Sequence, residues 1–391
     1  MPELYKKKEL CTGCTACFSV CPMNAITMNK DEEGFAYPKI DTSVCINCGR
    51  CETVCPEKSH IEKPDSIRIY AAKHNNEDVR MNSSSGGGFS LLADWVEKQT
   101  GAIYGVTFDD QFSVKHTRAD DIDKWSKFRF SKYVQSELGE TFKQVKQDLQ
   151  NGRLVLFTGT PCQVEGLNKF LYNADTSRLI TCDIVCHGTA SPKVWEDYLN
   201  YIRKSFKDSI TKINFKDKEI TGWHNSNLTI CGERSKILIS EGAGKNFYLQ
   251  MFYRNLILRP ACYICSYSNF KRSGDITLGD CWGIEKYYSR FDDNKGISLL
   301  MCNTDKGKNI WHQIRSNANY IEITKEMCIQ PNLQAPSKRP KGRDEFWEEY
   351  RKYGIKRMGQ KMGLLPFQTV DKIYWLVIRL MGKVKRIVHL L

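Results

Sequence analysis

Arg153-Leu-Val-Leu-Phe-Thr158-Gly159-Thr160-Pro161-Cys162-Gln163 is the stretch from which the architecture is read. Its apolar run predicts a buried strand, Gly159 and Thr160 a tight turn, and Pro161 the first position of a helix. Ligands of an open α/β sheet bind where strands end in such turns, which puts Cys162 at a candidate site. The layout recurs at residues 178–202, RLITCDIVCHGTASPKVWEDYLNYI. There a strand runs into Cys186-His187-Gly188, and Ser191-Pro192 opens the next helix.

Working outward, SIRIYAAK and GAIYGVTF read as further strands. Between them lies a glycine-rich loop, Ser83 to Gly88, opening onto a helix with Phe89, Leu92, Trp95 and Val96 at helical spacing. Free N–H groups at a helix start cradle phosphates, although such a loop also serves as a plain turn. Ser131 reads as the cap of another helix, with Lys132, Gln135 and Ser136 on its first turns.

The chain has 391 residues, 41% hydrophobic and 26% charged, with a net charge of +13 and 17 cysteines. That is a globular composition with room for two or three domains. The first eight cysteines repeat one pattern: Cys11, Cys14, Cys17, Cys21-Pro22, then Cys45, Cys48, Cys51, Cys55-Pro56. This is the run of bacterial two-cluster ferredoxins, in which the fourth cysteine of each copy serves the other cluster. One [4Fe-4S] cluster is therefore assigned to Cys11, Cys14, Cys17 and Cys55, and the second to Cys45, Cys48, Cys51 and Cys21. Zinc, the alternative, rarely takes four cysteines from so tight a run, and still less often twice. Residues 28–40 between the runs predict a hairpin with Gly34 near its turn. A second problem is the isolated pair Cys262 and Cys265, since cluster and structural zinc sites want four ligands. Cys162 and Cys186 are candidates for the other two, the alternative being buried inert thiols. His187 is read as structural, Cys182 as core, and Cys231, Cys302 and Cys328 receive no role.

SSGGGF, SKYVQSELGE, VLFTGTPCQVEGL, DIVCHGTASP, RPACYIC and DITLGDCWGIEK, in this order from about Ala71 to Cys328, resemble the coenzyme F420 hydrogenase/dehydrogenase beta-subunit family. The resemblance implies FAD and a further [4Fe-4S] cluster beside it, held by Cys162, Cys186, Cys262 and Cys265. Cys281 stands where relatives look aromatic and is the rival fourth ligand. The segments matching the flavin site are Ser84, Ser85, Gly86, Gly87 and Gly88; Ser131, Lys132, Gln135 and Ser136; and Thr158, Gly159 and Thr160. Lys132 is the expected cation near a flavin or substrate phosphate, against the plain reading of a solvated helix lysine. Asp280 is a candidate for binding a ribose hydroxyl or positioning substrate, or simply a turn residue.

The fold expected is α+β or α/β: a small two-cluster ferredoxin-like domain (1–62), an α/β flavin-binding body in two parts (63–152 and 153–330), then a basic linker and helical tail (331–391). The function expected is an iron–sulfur flavoprotein oxidoreductase passing electrons between clusters and a two-electron substrate. Alternatives are a protein reducing or oxidising coenzyme F420 within a larger complex, and a non-catalytic electron-transfer subunit. Expected partners are ferredoxin or another oxidoreductase subunit and a small-molecule substrate, without nucleic acid, since no nucleic-acid-binding signature is present. The opening MPELYKKKEL lacks the apolar core of a signal peptide, and no uninterrupted apolar run reaches membrane-spanning length, so a cytoplasmic location is expected. Residues 371–391 mix apolar and basic side chains, with Trp375, Leu376 and Leu380 against Lys383, Lys385 and Arg386, as a helix lying on the inner membrane face would, or a helix docked on the body or on a partner chain.

Overall fold

The structure is a computed structural model describing residues 2–58, 65 and 68–364. The expected domain junction near residues 62–64 and the membrane-surface helix at 371–391 lie outside the described residues. The N-terminal unit contains α1 (Ala16–Val20), β1 (Ile26–Lys30), β2 (Ala36–Ile40) and α2 (Arg50–Thr53). β1 and β2 form the expected antiparallel hairpin, with Ile26 opposite Ile40. Gly34 takes φ +84° in the turn, and the Asp31 carboxylate accepts from the N–H groups of Glu33 and Phe35 to close it.

The body runs β3 (Arg68–His74), α3 (Glu77–Met81), α4 (Gly88–Glu97), β4 (Ala102–Phe108), β5 (Val114–Ala119), α5 (Ile122–Trp125), α6 (Thr141–Gln150), β6 (Val155–Gly159), α7 (Pro161–Phe170), β7 (Leu179–Ile184) and α8 (Pro192–Phe206). It continues with β8 (Lys212–Asp217), β9 (Asn227–Cys231), β10 (Ile237–Glu241), α9 (Phe247–Tyr253), β11 (Ile276–Asp280), β12 (Ser298–Cys302), α10 (Asp305–Ile314), β13 (Ala318–Glu322) and α11 (Arg343–Lys361). The central sheet has eight strands in the order β13-β3-β12-β11-β7-β6-β4-β5. β4, β6, β7 and β11 are mutually parallel, and antiparallel strands flank them. β8, β9 and β10 form a separate antiparallel sheet.

Alternation along β6 explains the layers. Val155 and Phe157 pack with Val145, Val164 and Leu167 of α6 and α7, while Leu156 faces Leu92, Val96 and Trp311 of α4 and α10 on the other side. α7 starts as expected, with Pro161 at its first position and a capping box between Thr160 and Gln163.

The helix expected from Ser131 does not form; the chain stays irregular until Thr141. Val134 and Leu138 are both buried and four residues apart, which imitates a helical face. Their neighbours find backbone partners across space instead: Gln135 N–H donates to Ala190 O, and Glu137 exchanges hydrogen bonds with Val114 and His116. Tertiary hydrogen bonds thus replace the helical ones.

A buried ion pair seats the N-terminal hairpin on the body. Arg343 Nη1 donates to Glu33 Oε1 at 2.9 Å, and the same guanidinium reaches Tyr263 Oη at 2.9 Å and Leu258 O at 3.0 Å. Residues 330–342, expected as a linker, pack against the body: Leu333 is buried and Ser337 Oγ donates to His187 O at 2.5 Å.

Replacing Arg343 by Met should lower the stability of the folded chain by about 3–5 kcal/mol, because the Glu33 carboxylate is left buried alone. Adding Glu33→Leu should restore most of the loss, which anaerobic urea unfolding measures. His116 provides a pH test: its ring stacks on Phe157, Nε2 lies 3.1 Å from Thr158 O, and burial holds its pKa down at about 4. The unfolded chain binds the proton more readily, so stability is held above about pH 6.5 and lost as pH falls towards 4. His116→Phe should flatten the unfolding midpoint across that window relative to the parent.

Candidate functional site

The parallel strands end together at Phe108, Gly159, Ile184 and Asp280, and this carboxyl edge collects the chemistry. Cys162 sits in the first turn of α7, Cys186 two residues beyond β7, and Cys262 and Cys265 at the short 3-10 turn Pro260–Ile264 and its end. Burial is the largest cause raising each of these four thiols. Cys265, Cys186 and Cys262 all act on Cys162, and Cys262 and Cys265 act on Cys186. The structure therefore brings the four together. Thr189 N–H points at Cys262 Sγ, 3.4 Å away, and Thr160 Oγ1 lies 3.2 Å from Cys162 Sγ. Gly188 has φ +137°, and a side chain there would fall 2.9 Å from Leu258 Cδ1 and 3.3 Å from Cys262 Cβ. Cys281 lies elsewhere: it is fully buried, and the thiol acting on it is that of Cys328.

In the N-terminal unit, one cavity is lined by Cys11, Cys14, Cys17 and Cys55, and a second by Cys21, Cys45, Cys48 and Cys51. Each takes three cysteines from one run and the fourth from the other. Left-handed residues bend the runs around them: Gly13 (φ +72°), Thr15 (+62°), Asn47 (+53°) and Gly49 (+71°). The two cavities differ in setting. Cys48 is exposed, and Ile46 beside it is 60% exposed. Cys14 is buried against the body, and burial pushes its thiol up to about 12. Among the described residues no three metal-binding side chains converge on a single-ion point; the quartets enclose cavities instead.

The inner cavity and the carboxyl-edge cysteines are joined by α7. A methyl group at Gly166 would fall 2.8 Å from Cys14 Cβ and 2.9 Å from its Sγ. Cys162 lies one turn earlier on this helix, about 6 Å along the axis at 1.5 Å per residue. The Tyr267 hydroxyl is buried, with no hydrogen-bond partner among the described residues, and both Cys162 and Cys14 act on it.

The residues matching the flavin segments are only partly assembled. Ser131 N–H donates to Ser84 Oγ at 2.6 Å, which joins two of the segments. Lys132 Nζ donates to Lys127 O and Phe130 O at 3.0 and 2.8 Å, and burial pushes its pKa down to about 7. The remaining groups are engaged within the fold. Ser85 Oγ donates to Ile297 O and Gly88 N–H to Ser298 Oγ, while a side chain at Gly86 would strike Ala72 O and Ser298 N. Gly87 adopts φ +87° ahead of α4. Gln135 bridges Thr12 O and Arg259, and Ser136 accepts from Gln163. Thr158 Oγ1 donates to Tyr104 O, Thr160 belongs to the α7 cap, and Gly159 lies against Gln163. Asp280 accepts from Trp223 Nε1 at 3.0 Å and lies 3.3 Å from Lys216 Nζ, which sits over Trp282. Lys216, Glu33 and Arg343 lie outside the quoted motifs, and Arg259 and Gly166, although inside RPACYIC and VLFTGTPCQVEGL, receive no role there; spatial neighbours mark all five.

Residues 152–327 match the sequence model for the C-terminal part of the beta chain of coenzyme F420 hydrogenase/dehydrogenase, and residues 10–59 that of the 4Fe-4S dicluster domain. Cysteine quartets in a ferredoxin-type unit, docked on a mixed α/β sheet, define an iron–sulfur electron-transfer protein related to oxidoreductases. Residues 152–327 thus carry the C-terminal part of the coenzyme F420 hydrogenase/dehydrogenase beta-subunit family, with a 4Fe-4S dicluster domain in front. A component of the F(420)H(2) dehydrogenase of Methanosarcina mazei is 21% identical over 370 residues, covering 84% of this chain and 96% of that protein. A component of the Na(+)-translocating ferredoxin:NAD(+) oxidoreductase complex of Acetobacterium woodii is 32% identical over 65 residues, covering 17% of this chain; the chain spans only 18% of that relative. A chain of the F420-reducing [NiFe] hydrogenase complex from Methanosarcina barkeri superposes with a TM-score of 0.48 at 15% identity, covering 77% of this chain and 94% of that one. Among the described residues no helix is long and apolar enough to cross a membrane.

Gly166→Val should force Cys14 away from α7. The expected result is loss of about four irons per chain, the content of one cluster, read by elemental analysis of anaerobically purified protein.

Proposed function

We propose that the chain is an iron–sulfur flavoprotein oxidoreductase carrying electrons along three cysteine quartets to a two-electron site at the carboxyl edge. The packing of Gly166 on Cys14, one helical turn from Cys162, carries this reading, because it seats two quartets against a single helix. In it, Cys45, Cys48, Cys51 and Cys21 hold an outer [4Fe-4S] cluster, Cys11, Cys14, Cys17 and Cys55 an inner one, and Cys162, Cys186, Cys262 and Cys265 a third. The exposed Cys48 and Ile46 mark where a ferredoxin or another oxidoreductase subunit docks.

Four-iron clusters exchange single electrons, and FAD exchanges either one electron or a hydride, so together they join a one-electron carrier to a two-electron substrate. The donor sets fit clusters: soft thiols, buried and gathered in fours, bind once deprotonated. For FAD the fit is local. Ser84 offers a hydroxyl held by Ser131 N–H, and Lys132 an amine whose hydrogen bonds go to backbone carbonyls; a phosphate beside it would favour the charged form that burial disfavours. Gly86 and Gly88 are engaged with β3 and β12, so their role is to let the loop approach the sheet.

The hydride-exchanging substrate is read as a small molecule, and the F(420)H(2) in the name of the Methanosarcina mazei relative favours coenzyme F420. The engagement of Gln135, Ser136 and Thr160 inside the fold favours a second reading, a non-catalytic electron-transfer subunit without flavin. The chain is read as cytoplasmic.

Anaerobically purified protein should carry about twelve irons and bound FAD. About eight irons without a yellow cofactor would establish the non-catalytic reading instead. Cys186→Ser should lower the iron by about four, whereas Cys281→Ser should leave it unchanged.

A further inference from the structure

Arg259 is a buried cation with no carboxylate partner among the described residues. The residue is 1% exposed, and its partners are Cys11 O at 2.8 Å from Nε, Gln135 Oε1 at 2.9 Å from Nη1, and Ala36 O at 3.0 Å from Nη2. Nη2 also lies 3.7 Å from Cys11 Sγ, and the guanidinium stacks 4.3 Å from the centre of the Tyr37 ring. Three neutral oxygens satisfy donors but do not balance a charge, and arginine does not shed its proton. Isolated in the interior, such a charge is costly. The Cys11 sulfur becomes anionic when it binds metal, and it is the partner able to supply the missing charge.

The internal repeat strengthens the point. Gly13 and Asn47 occupy equivalent places, 34 residues apart, and both are left-handed at φ +72° and +53°. Asparagine shows that the backbone alone does not require glycine there. At Gly13 a side chain would fall 2.9 Å from Arg259 Nη1, so glycine makes room for the guanidinium. The two halves of the module are thereby made chemically unequal.

Building on the ligand assignment above, we propose that Arg259 is a positioning and tuning residue that raises the reduction potential of the inner cluster, held by Cys11, Cys14, Cys17 and Cys55, above the value it would have without this charge. Reduction adds one electron from the external reductant to the cluster and breaks no bond. A fixed positive charge and an N–H donor at a ligand sulfur stabilise the more negative, reduced state. The outer cavity has an arginine of its own, Arg50, but that side chain is exposed and its charge is screened by solvent, whereas the buried guanidinium lies at the inner cavity.

The test is a potentiometric titration of the full-length, anaerobically purified protein, followed by electron paramagnetic resonance. In Arg259→Gln one cluster potential should move to a lower value while the others stay in place, and Arg259→Lys should recover much of the shift. Gly13→Asn, which copies the repeat and displaces the guanidinium, should move the same potential downward even if Arg259→Gln folds poorly. Unmoved potentials in both Arg259→Gln and Gly13→Asn, at parental iron content, overturn the proposal. Failure of the ligand assignment shows separately, as an undiminished iron content in Cys11→Ser of the otherwise unaltered chain.

Discussion

The close packing of Cys14 on Gly166 is the constraint on which the arrangement depends. Electron transfer between centres needs short separations, and a β-carbon on α7 would push the ferredoxin-type unit outward. Because the cap of α7 places Cys162 one turn away, a single helix controls both the docking of the N-terminal unit and the first cysteine of the body. Interior packing tolerates little change at such a contact, since relaxation is only partial.

Buried charge does the rest of the docking. Arg343 meets Glu33 of the hairpin turn, and Arg259 reaches Cys11 and Ala36 from the same short segment that carries Cys262 and Cys265. Each guanidinium crosses from body to module, so the junction is specified by directional hydrogen bonds as well as by apolar area. This polar construction fits a junction whose thiols also require deprotonation to bind metal. The apolar residues around it, Ala16 and Val54 with Val164 and Leu167, complete the seal.

Much of the fold was legible because its signals are local. The strand–turn–helix at Val155–Phe170 followed from an apolar run, a tight turn and proline, and the repeated cysteine runs followed from their spacing. The segment from Ser131 to Ser136 was not: a serine that could cap a helix sits on irregular chain, and the hydrogen bonds of Gln135 and Glu137 go to Ala190, Val114 and His116. The flavin-segment residues show the same limit. A serine or glutamine in a motif reports hydrogen-bonding capacity, and Gln135 and Ser136 use that capacity on the module and on α7.

The sequence by itself determined the 4Fe-4S dicluster repeat, the α/β plan and the likeness of residues 152–327 to the beta-subunit family, because cysteine spacing, strand periodicity and capping act over a few residues. Only the tertiary structure decided which distant thiols meet. Cys162 and Cys186 come from two neighbouring strand ends and join Cys262 and Cys265, while Cys281, nearer in the chain, turns into the core beside Cys328. It also decided that Arg259, Arg343 and Glu33 would be buried across the junction. The reason is physical: chain spacing governs local loops, whereas long-range contacts depend on how strands order in the sheet and which charges that ordering removes from water.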